Sequence, residues 1–401
     1  MKSIYFFFVF LFFLQSMKAW FLWDIQGGYL SLMCLIVAFV AQKMKRTIQF
    51  KFDNKFFPLL IIGCLATIIA ENDKTFVVCV AKVLLVINVL IIYYLDYKTQ
   101  KELFHFIING FIFILIPSIL LYYAFLFGYD LFNGGIIHND NLGYTFTNHY
   151  FFLSGHYGIR FQSIFCEPGH LAMIISLLLL GTGYDFKDWK VCFLTFVVLA
   201  SLSLAGYVIM FLGFIFSRFS EGKFNMTKIL KSSIGVLTVL ILIGGGFALL
   251  GKAEILNELI LSRIAFDEDR GTIAGDNRVS WQVDQYIESM SLDEMLLGGA
   301  NLNYNNELQG TGIKMYMIQY GIIAIVLIFL FYYLLLKKKF SKFGAFALLL
   351  FSLSFIQRCY AIWFCQMVMY ALFVSINWAN KKNITNGHIN NHSNKKLSTV
   401  S

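Results

Sequence analysis

The chain has 401 residues, of which 58% are hydrophobic, 18% aromatic and only 14% charged. A soluble globular domain carries about 25% charged residues, and a water-soluble fold cannot hide this much apolar surface, so the composition excludes an ordinary soluble protein. The net charge of +9 does not point to nucleic acid, because the basic residues sit in short clusters between apolar runs, the pattern of a membrane protein's cytoplasmic loops.

Spanning backbone must satisfy its own hydrogen bonds, which leaves helices or closed barrels. The apolar runs here are continuous rather than alternating, so helices are expected. Met1-Lys2-Ser3 followed by Ile4 to Leu14 has the start of a signal peptide. It lacks a small-x-small cleavage site, and Lys18 and Trp20 interrupt the stretch beyond Leu14, so it reads as an uncleaved first span. The expected spans are 4–23, 26–42, 56–70, 76–95, 103–127, 168–184, 190–204, 205–218, 232–250, 313–336, 343–358 and 360–378. The stretch 190–218 is long for one helix and short for two. A hairpin at Ser203-Leu204-Ala205-Gly206 puts the clusters Lys43/Lys45/Arg46, Lys98/Lys101, Arg218/Lys223/Lys228/Lys231 and Lys337–Lys339 on one side. A single helix would put the last two clusters outside and break the positive-inside rule. The expectation is an all-α polytopic membrane protein with about twelve spans and both termini in the cytoplasm.

Residues 128–167 and 251–312 are too polar to span and form two large outer loops. The second has apolar residues at helical spacing, Ile255 and Leu259, then Trp281, Val283 and Ile287, which predicts short amphipathic helices on the membrane face. Residues 1–378 form one integral membrane domain. The tail 379–401, rich in Asn, Lys, Ser and Thr, has little to bury and is expected to be disordered and cytoplasmic. Cys34, Cys64, Cys79, Cys192 and Cys365 lie in apolar runs as small hydrophobes. Cys166 and Cys359 fall at outer helix ends, where a disulfide is one option that the sequence does not require. No metal motif, Walker loop, dinucleotide glycine pattern or Ser-His-Asp order is present.

The outer face should be poor in positive charge, which makes its arginines informative. Arg160 precedes Glu167-Pro168-Gly169-His170 at the entry to a span. Pro168 suits the first helical position, and Glu167 sits beside the positive end of the dipole. Two readings stand: a phosphate site built from helix N–H groups and Arg160, or Glu167 complementing the dipole and pairing with Arg160. Glu167 and His170 are an acid–base candidate. Arg270 reads as solvated. Arg278 leads into an amphipathic stretch ending Leu297-Gly298-Gly299 and is a ligand candidate. Arg358, at the outer turn between two spans, either snorkels to lipid phosphate or serves function. His138, His149 and His156 read as surface residues, and Lys82 is the main charge deep in a span.

The pattern Arg160-x-x-Ser-x-Phe-x-Glu167-Pro-Gly-x-x-Ala172 running into a span resembles bacterial O-antigen and capsule polymerases of the Wzy type. So does Arg278 followed by Leu297-Gly298 and a glycine-led span at Gly321-Ile-Ile. The resemblance covers roughly residues 100–378 and rests on short motifs. It implies a polyprenyl-dependent, GT-C-like integral-membrane glycosyltransferase that works without a metal or other cofactor at the outer face of the bacterial plasma membrane. Such enzymes transfer a growing glycan from undecaprenyl diphosphate to a new lipid-linked repeat unit, with a chain-length regulator and a flippase of the same pathway as partners. By resemblance, Arg160 and Arg278 bind the diphosphate. The bottom-up chemistry is compatible: guanidinium forks, Arg358 included, neutralise a diphosphate leaving group, and Glu167 or His170 serves as base for the acceptor hydroxyl. Tyr144, Tyr157, Trp281 and Tyr304 are sugar-stacking candidates, although aromatics at a membrane edge are also ordinary anchors. O-antigen ligases, a sister group, carry a late-loop histidine that residues 251–335 lack, which favours polymerase over ligase. A lipid-linked oligosaccharide flippase is the non-enzyme alternative, and it should line a central cavity with deep charges.

Overall fold

The computed structural model describes residues 1–44, 48–71, 74–139, 143–156, 158–220, 266–267, 272–273, 281–299, 312–358 and 361–377. Among these the chain is mostly helical, in the order Lys2–Ser16 (α1), Gly27–Lys43 (α2), Phe56–Ile69 (α3), Phe76–Tyr94 (α4) and Tyr97–Leu126 (α5). Then come Pro168–Gly181 (α6), Trp189–Ala200 (α7), Leu204–Ser220 (α8), Trp281–Ser289 (α9) and Leu292–Leu297 (α10). Ile313–Lys338 (α11), Lys342–Gln357 (α12) and Phe364–Asn377 (α13) close the series. Three of them, α4, α5 and α11, are long and apolar enough to cross a membrane, and eight shorter apolar helices accompany them. The expected span 232–250, the tail and most of 251–312 lie outside the described residues.

Every residue of α6 from Pro168 to Leu180 is buried, so this helix is the axis of the bundle. Peripheral helices instead expose apolar side chains, among them Phe57 at 68%, Phe76 at 82% and Phe113 at 74%. Large apolar groups left outside on a well-packed interior suit a hydrocarbon solvent. Close crossing of α8 over α6 needs small residues: a Cβ on Gly206 would strike the Ala172 Cβ, and Ser176 Oγ, which also bonds Ala172 O, reaches the Gly206 carbonyl at 3.0 Å.

The stretch 190–218 is a hairpin. Phe161 N donates to Ala200 O at 3.4 Å, so the end of α7 lies at the loop that precedes α6. Arg218 Nη2 donates to Tyr184 O at 3.2 Å, and Tyr184 OH donates to Met210 O at 2.8 Å, so α8 returns to the far end of α6. The turn falls at residues 201–203, with Leu202 at φ 49°, slightly earlier than expected. Among the described residues, Lys101, Arg218 and Lys339 of the clusters used in the charge argument lie at one end. Lys339 Nζ donates to Tyr93 O (2.6 Å) and Ser375 Oγ (2.9 Å), Lys2 pairs with Glu102, and Lys101, Lys190 and Asn377 border one cleft. Lys2 and Asn377 therefore lie on the same end of the bundle, hereafter the basic end. Asp53 is tied in by Lys338 and by Tyr94 OH at 2.7 Å. Partial burial pushes its carboxyl up, but these bonds and the Lys55 N–H outweigh that, leaving its pKa below the ordinary value.

The structure corrects several expectations. The first span ends at Ser16 rather than 23, because Lys18 adopts φ 61° and Ala19 then pairs as an isolated bridge with Phe165. The fifth helix starts at Tyr97 rather than 103, because Asp96 caps it by accepting from Thr99 N at 3.0 Å. The fold is not purely helical. Ile136–Asn139 (β1), Tyr144–Asn148 (β2) and Leu153–Gly155 (β3) form an antiparallel sheet with Phe146 opposite Ile137. Tyr144-Thr-Phe-Thr-Asn148 alternates aromatic and β-branched residues, the pattern that favours a strand. A small pair, Phe266–Asp267 (β4) with Thr272–Ile273 (β5), lies in the later segment. Part of the apolar side of α9 is taken up by the chain itself: Val283 packs with Met315 and Ile318 of α11, and Lys314 Nζ meets Asp284 Oδ1 at 2.5 Å.

Candidate functional site

The site grows from the run 159–167, which turns at Ser163 (φ 56°) and is held at four places before it enters α6. Tyr122 OH donates to Ile159 O at 2.8 Å, and Phe161 N reaches Ala200 O. Ser163 O accepts from Leu153 N at 2.9 Å, and Ile164 O accepts from Trp20 N at 3.0 Å. Phe161 and Phe165 are fully buried. Glu167 thereby becomes the N-cap residue, in extended conformation, with Pro168 in the first turn as the sequence predicts.

The Glu167 side chain does not cap its own helix. Its Oε2 pairs with Arg358 Nη1, from the residue that ends α12, 191 positions later. Only 14% of the Glu167 side chain and 15% of that of Arg358 remain exposed. His170 Nε2 lies 3.4 Å from the same Oε2, and Tyr144 OH lies 3.5 Å from Oε1. The His170 ring is buried and meets Trp363 edge-on, with centroids 5.1 Å apart. Gly169 makes room for the guanidinium: a Cβ there would lie 2.8 Å from Arg358 Nη2. Gly169 stands in the sequence motif with no role assigned to it, and Trp363 is not singled out there. Gly169 had a signal, since a glycine just inside a proline-started helix marks a close approach; Trp363 had none.

Of the expected residues, the structure joins Glu167, His170 and Arg358. Arg160 goes elsewhere: its Nε donates to Ser201 O at 3.4 Å, at the α7–α8 turn, so Glu167 has Arg358 and not Arg160 as its ion-pair partner. Arg278, Tyr157 and Tyr304 lie outside the described residues, as does the Trp281 side chain, although Trp281 begins α9. Cys359 is also outside them. Cys166 is a free, buried thiol donating to Lys18 O at 3.5 Å, and burial pushes its pKa up to about 12. His149 is a loop fastener rather than a loose surface group, bonded to Phe132 O (3.0 Å) and Ser154 Oγ (2.9 Å).

Lys82 is answered locally: its Nζ meets Glu71 Oε2 at 2.5 Å across the α3–α4 turn, at the end away from the basic cluster. The later segment approaches the same end. Glycines at 298 and 321 let two backbones cross, for a Cβ on Gly298 would lie 2.5 Å from Gln319 O and one on Gly321 would overlap Leu296 O. Gly321 breaks the helical conformation inside α11, with φ 77° and ψ 170°. Gly298 and Gly321, read from the sequence as parts of one pattern, thus form a single joint.

A guanidinium over a helix N-terminus, with a carboxylate and an imidazole beneath it, can take an anion in exchange for the carboxylate and then use that carboxylate as a proton acceptor. No family model matches the chain, and neither a curated protein nor a solved structure is similar to it.

Proposed function

We propose that the chain is a multi-pass glycosyltransferase of the bacterial plasma membrane. In this reading about twelve helices span the bilayer, the basic end and both termini are cytoplasmic, and the architecture is GT-C-like. Its substrates are undecaprenyl-diphosphate-linked oligosaccharide repeat units, polymerised at the outer face into O-antigen, capsule or exopolysaccharide. The observation that carries the reading is the meeting of Arg358, Glu167 and His170 at the mouth of α6, on the end opposite the basic clusters. An ion pair at that mouth suits a donor whose reacting diphosphate stays at a membrane interface. Of the motif residues that suggested the family, Glu167, Pro168 and Gly169 form the α6 mouth and Gly298 and Gly321 the joint.

In the reaction, an acceptor sugar hydroxyl attacks the anomeric carbon of the donor glycan. The bond from that carbon to the diphosphate oxygen breaks, and its electron pair leaves with undecaprenyl diphosphate. Arg358, Arg160 and Arg278 neutralise that charge. Glu167, released from Arg358 as the diphosphate takes the fork, accepts the hydroxyl proton. His170, buried at 4% exposure, positions the carboxylate and does not touch substrate. Lys82 is neutralised by Glu71, as a structural ion pair would be and a conduit's free charge would not.

Surface polysaccharide gels from complemented deletion strains test this. Arg160→Ala and Arg278→Ala should each reduce long chains to single repeat units on lipid A core, with protein levels intact. Arg278→Lys should also be impaired, since lysine lacks the bidentate fork. Normal ladders in both alanine variants would defeat the assignment. Free polymer with bare core in the deletion strain would indicate a ligase, and loss of all outer-face glycan a flippase. The topology has its own check: on an otherwise cysteine-free background, a cysteine at Ile136, 75% exposed in the outer loop, should react with an impermeant maleimide in intact cells, and one at Ser220 only after lysis.

A further inference from the structure

The basic end holds a cleft of about 270 Å³ between α5, the α6–α7 turn and the end of α13. Its walls carry two cations, Lys101 and Lys190, and two carboxylates, Asp185 and Asp188, together with His105. Its floor is apolar, with Phe104 and Phe373. This mixture is not a solvated turn alone. Asp188 accepts from Lys190 N at 3.0 Å and Asp185 from Lys187 N at 3.2 Å, which sets both carboxylates in fixed positions. Lys190 Nζ donates to Asn109 Oδ1 at 2.7 Å, which draws the ammonium from α7 across to α5.

The cleft borders the exposed side of α5 at Lys101 and His105. Lys101, His105 and Asn109 recur at four-residue steps on the exposed face of that helix. The same face continues through Phe113, 74% exposed, and on to Leu120, 65% exposed. Polar groups at the helix end thus give way to an uncovered apolar stripe. Trp189, 56% exposed, stands beside Lys190, at the place where an indole marks a membrane interface.

A ligand of one charge sign would meet as much repulsion as attraction among two ammonium groups and two carboxylates. A zwitterion matches both signs. The apolar floor and the stripe add a requirement for hydrocarbon, and the carboxylates favour a cationic group that donates hydrogen bonds. We propose that this cleft binds a zwitterionic phospholipid with a primary ammonium, the phosphoethanolamine headgroup. Lys101 and Lys190 hold the phosphate with help from His105, Asp185 and Asp188 take the ammonium, and one acyl chain lies along Phe113 and Leu120. The site depends on the membrane embedding of the chain and not on the transferase chemistry, so failure of the polymer assay leaves it standing.

The test is native mass spectrometry of the full chain in neutral detergent. It is mixed in turn with phosphatidylethanolamine, phosphatidylcholine and phosphatidylglycerol of matched acyl chains, and with free phosphoethanolamine. The expected result is phosphatidylethanolamine adducts retained about tenfold over the other two lipids, with no binding of the free headgroup. Lys101→Gln and Asp185→Asn, both at exposed positions, should each lower that retention about fivefold, the order of one net hydrogen bond, with unchanged thermal unfolding. Equal retention of phosphatidylcholine would show that the ammonium is not read. Preferred retention of phosphatidylglycerol would show an anion site instead, and binding of free phosphoethanolamine would show a soluble ligand. Each of these overturns the proposal, as does undiminished retention in both variants.

Discussion

Replacing Arg358 with methionine should lower the stability of the protein by about 3 kcal/mol, the low end of the range for stranding one partner of a buried pair. The guanidinium is the ion-pair partner of Glu167, and both side chains keep about 15% exposure, so water compensates only in part. The double variant Arg358→Met with Glu167→Gln should recover most of the loss, since the isolated charge is then gone. Thermal unfolding of the purified protein in detergent, followed by tryptophan fluorescence, checks both. Equal destabilisation in the single and double variants would mean that the two residues are not coupled. Arg358→Lys should fall between, because a point charge keeps the attraction but loses the planar group lying over Gly169.

Gly321→Ala should be more damaging still. The residue combines φ 77° with ψ 170°, a region open essentially to glycine alone, at about 1–3 kcal/mol for any other residue. The added methyl would also overlap the Leu296 carbonyl, so strain and collision add, and the loss should exceed about 3 kcal/mol. Relief requires α10 to lift from α11. The docked surface of Val283, Met315 and Ile318 would then open, and proteolysis within 281–299 should accelerate. Gly299→Ala is the matched control: its nearest neighbour is Glu294 Cγ at 4.0 Å, and cleavage should stay at the wild-type rate. Slow cleavage in Gly321→Ala would show that the joint does not hold the segment down.

The helical plan was legible because apolar runs of this length have no other stable form in hydrocarbon. Even the hairpin after α7 followed from the charges around it, since basic clusters pin loops to one side. Helix ends were less legible. Lys18 in a left-handed conformation and the capping by Asp96 are decided by single residues. The sheet at 136–155 was less legible because its strands are only three to five residues long. At the candidate site, Glu167 and His170 could be paired from their spacing along one helix. The partnership of Glu167 with Arg358 could not, because it depends on how α6, α12 and α13 pack, and nothing local announces it. Proximity in sequence suggested Arg160, which instead reaches the turn at Ser201.

That long separation has a consequence for synthesis. Residues enter the membrane from the N-terminal end, and Glu167 emerges 191 positions before Arg358. A chain released from the ribosome at any point in between carries its glutamate at the α6 mouth with that counter-charge still unmade. The ion pair is therefore completed only after the 191 intervening positions have been made, and a product terminated between the two residues lacks it.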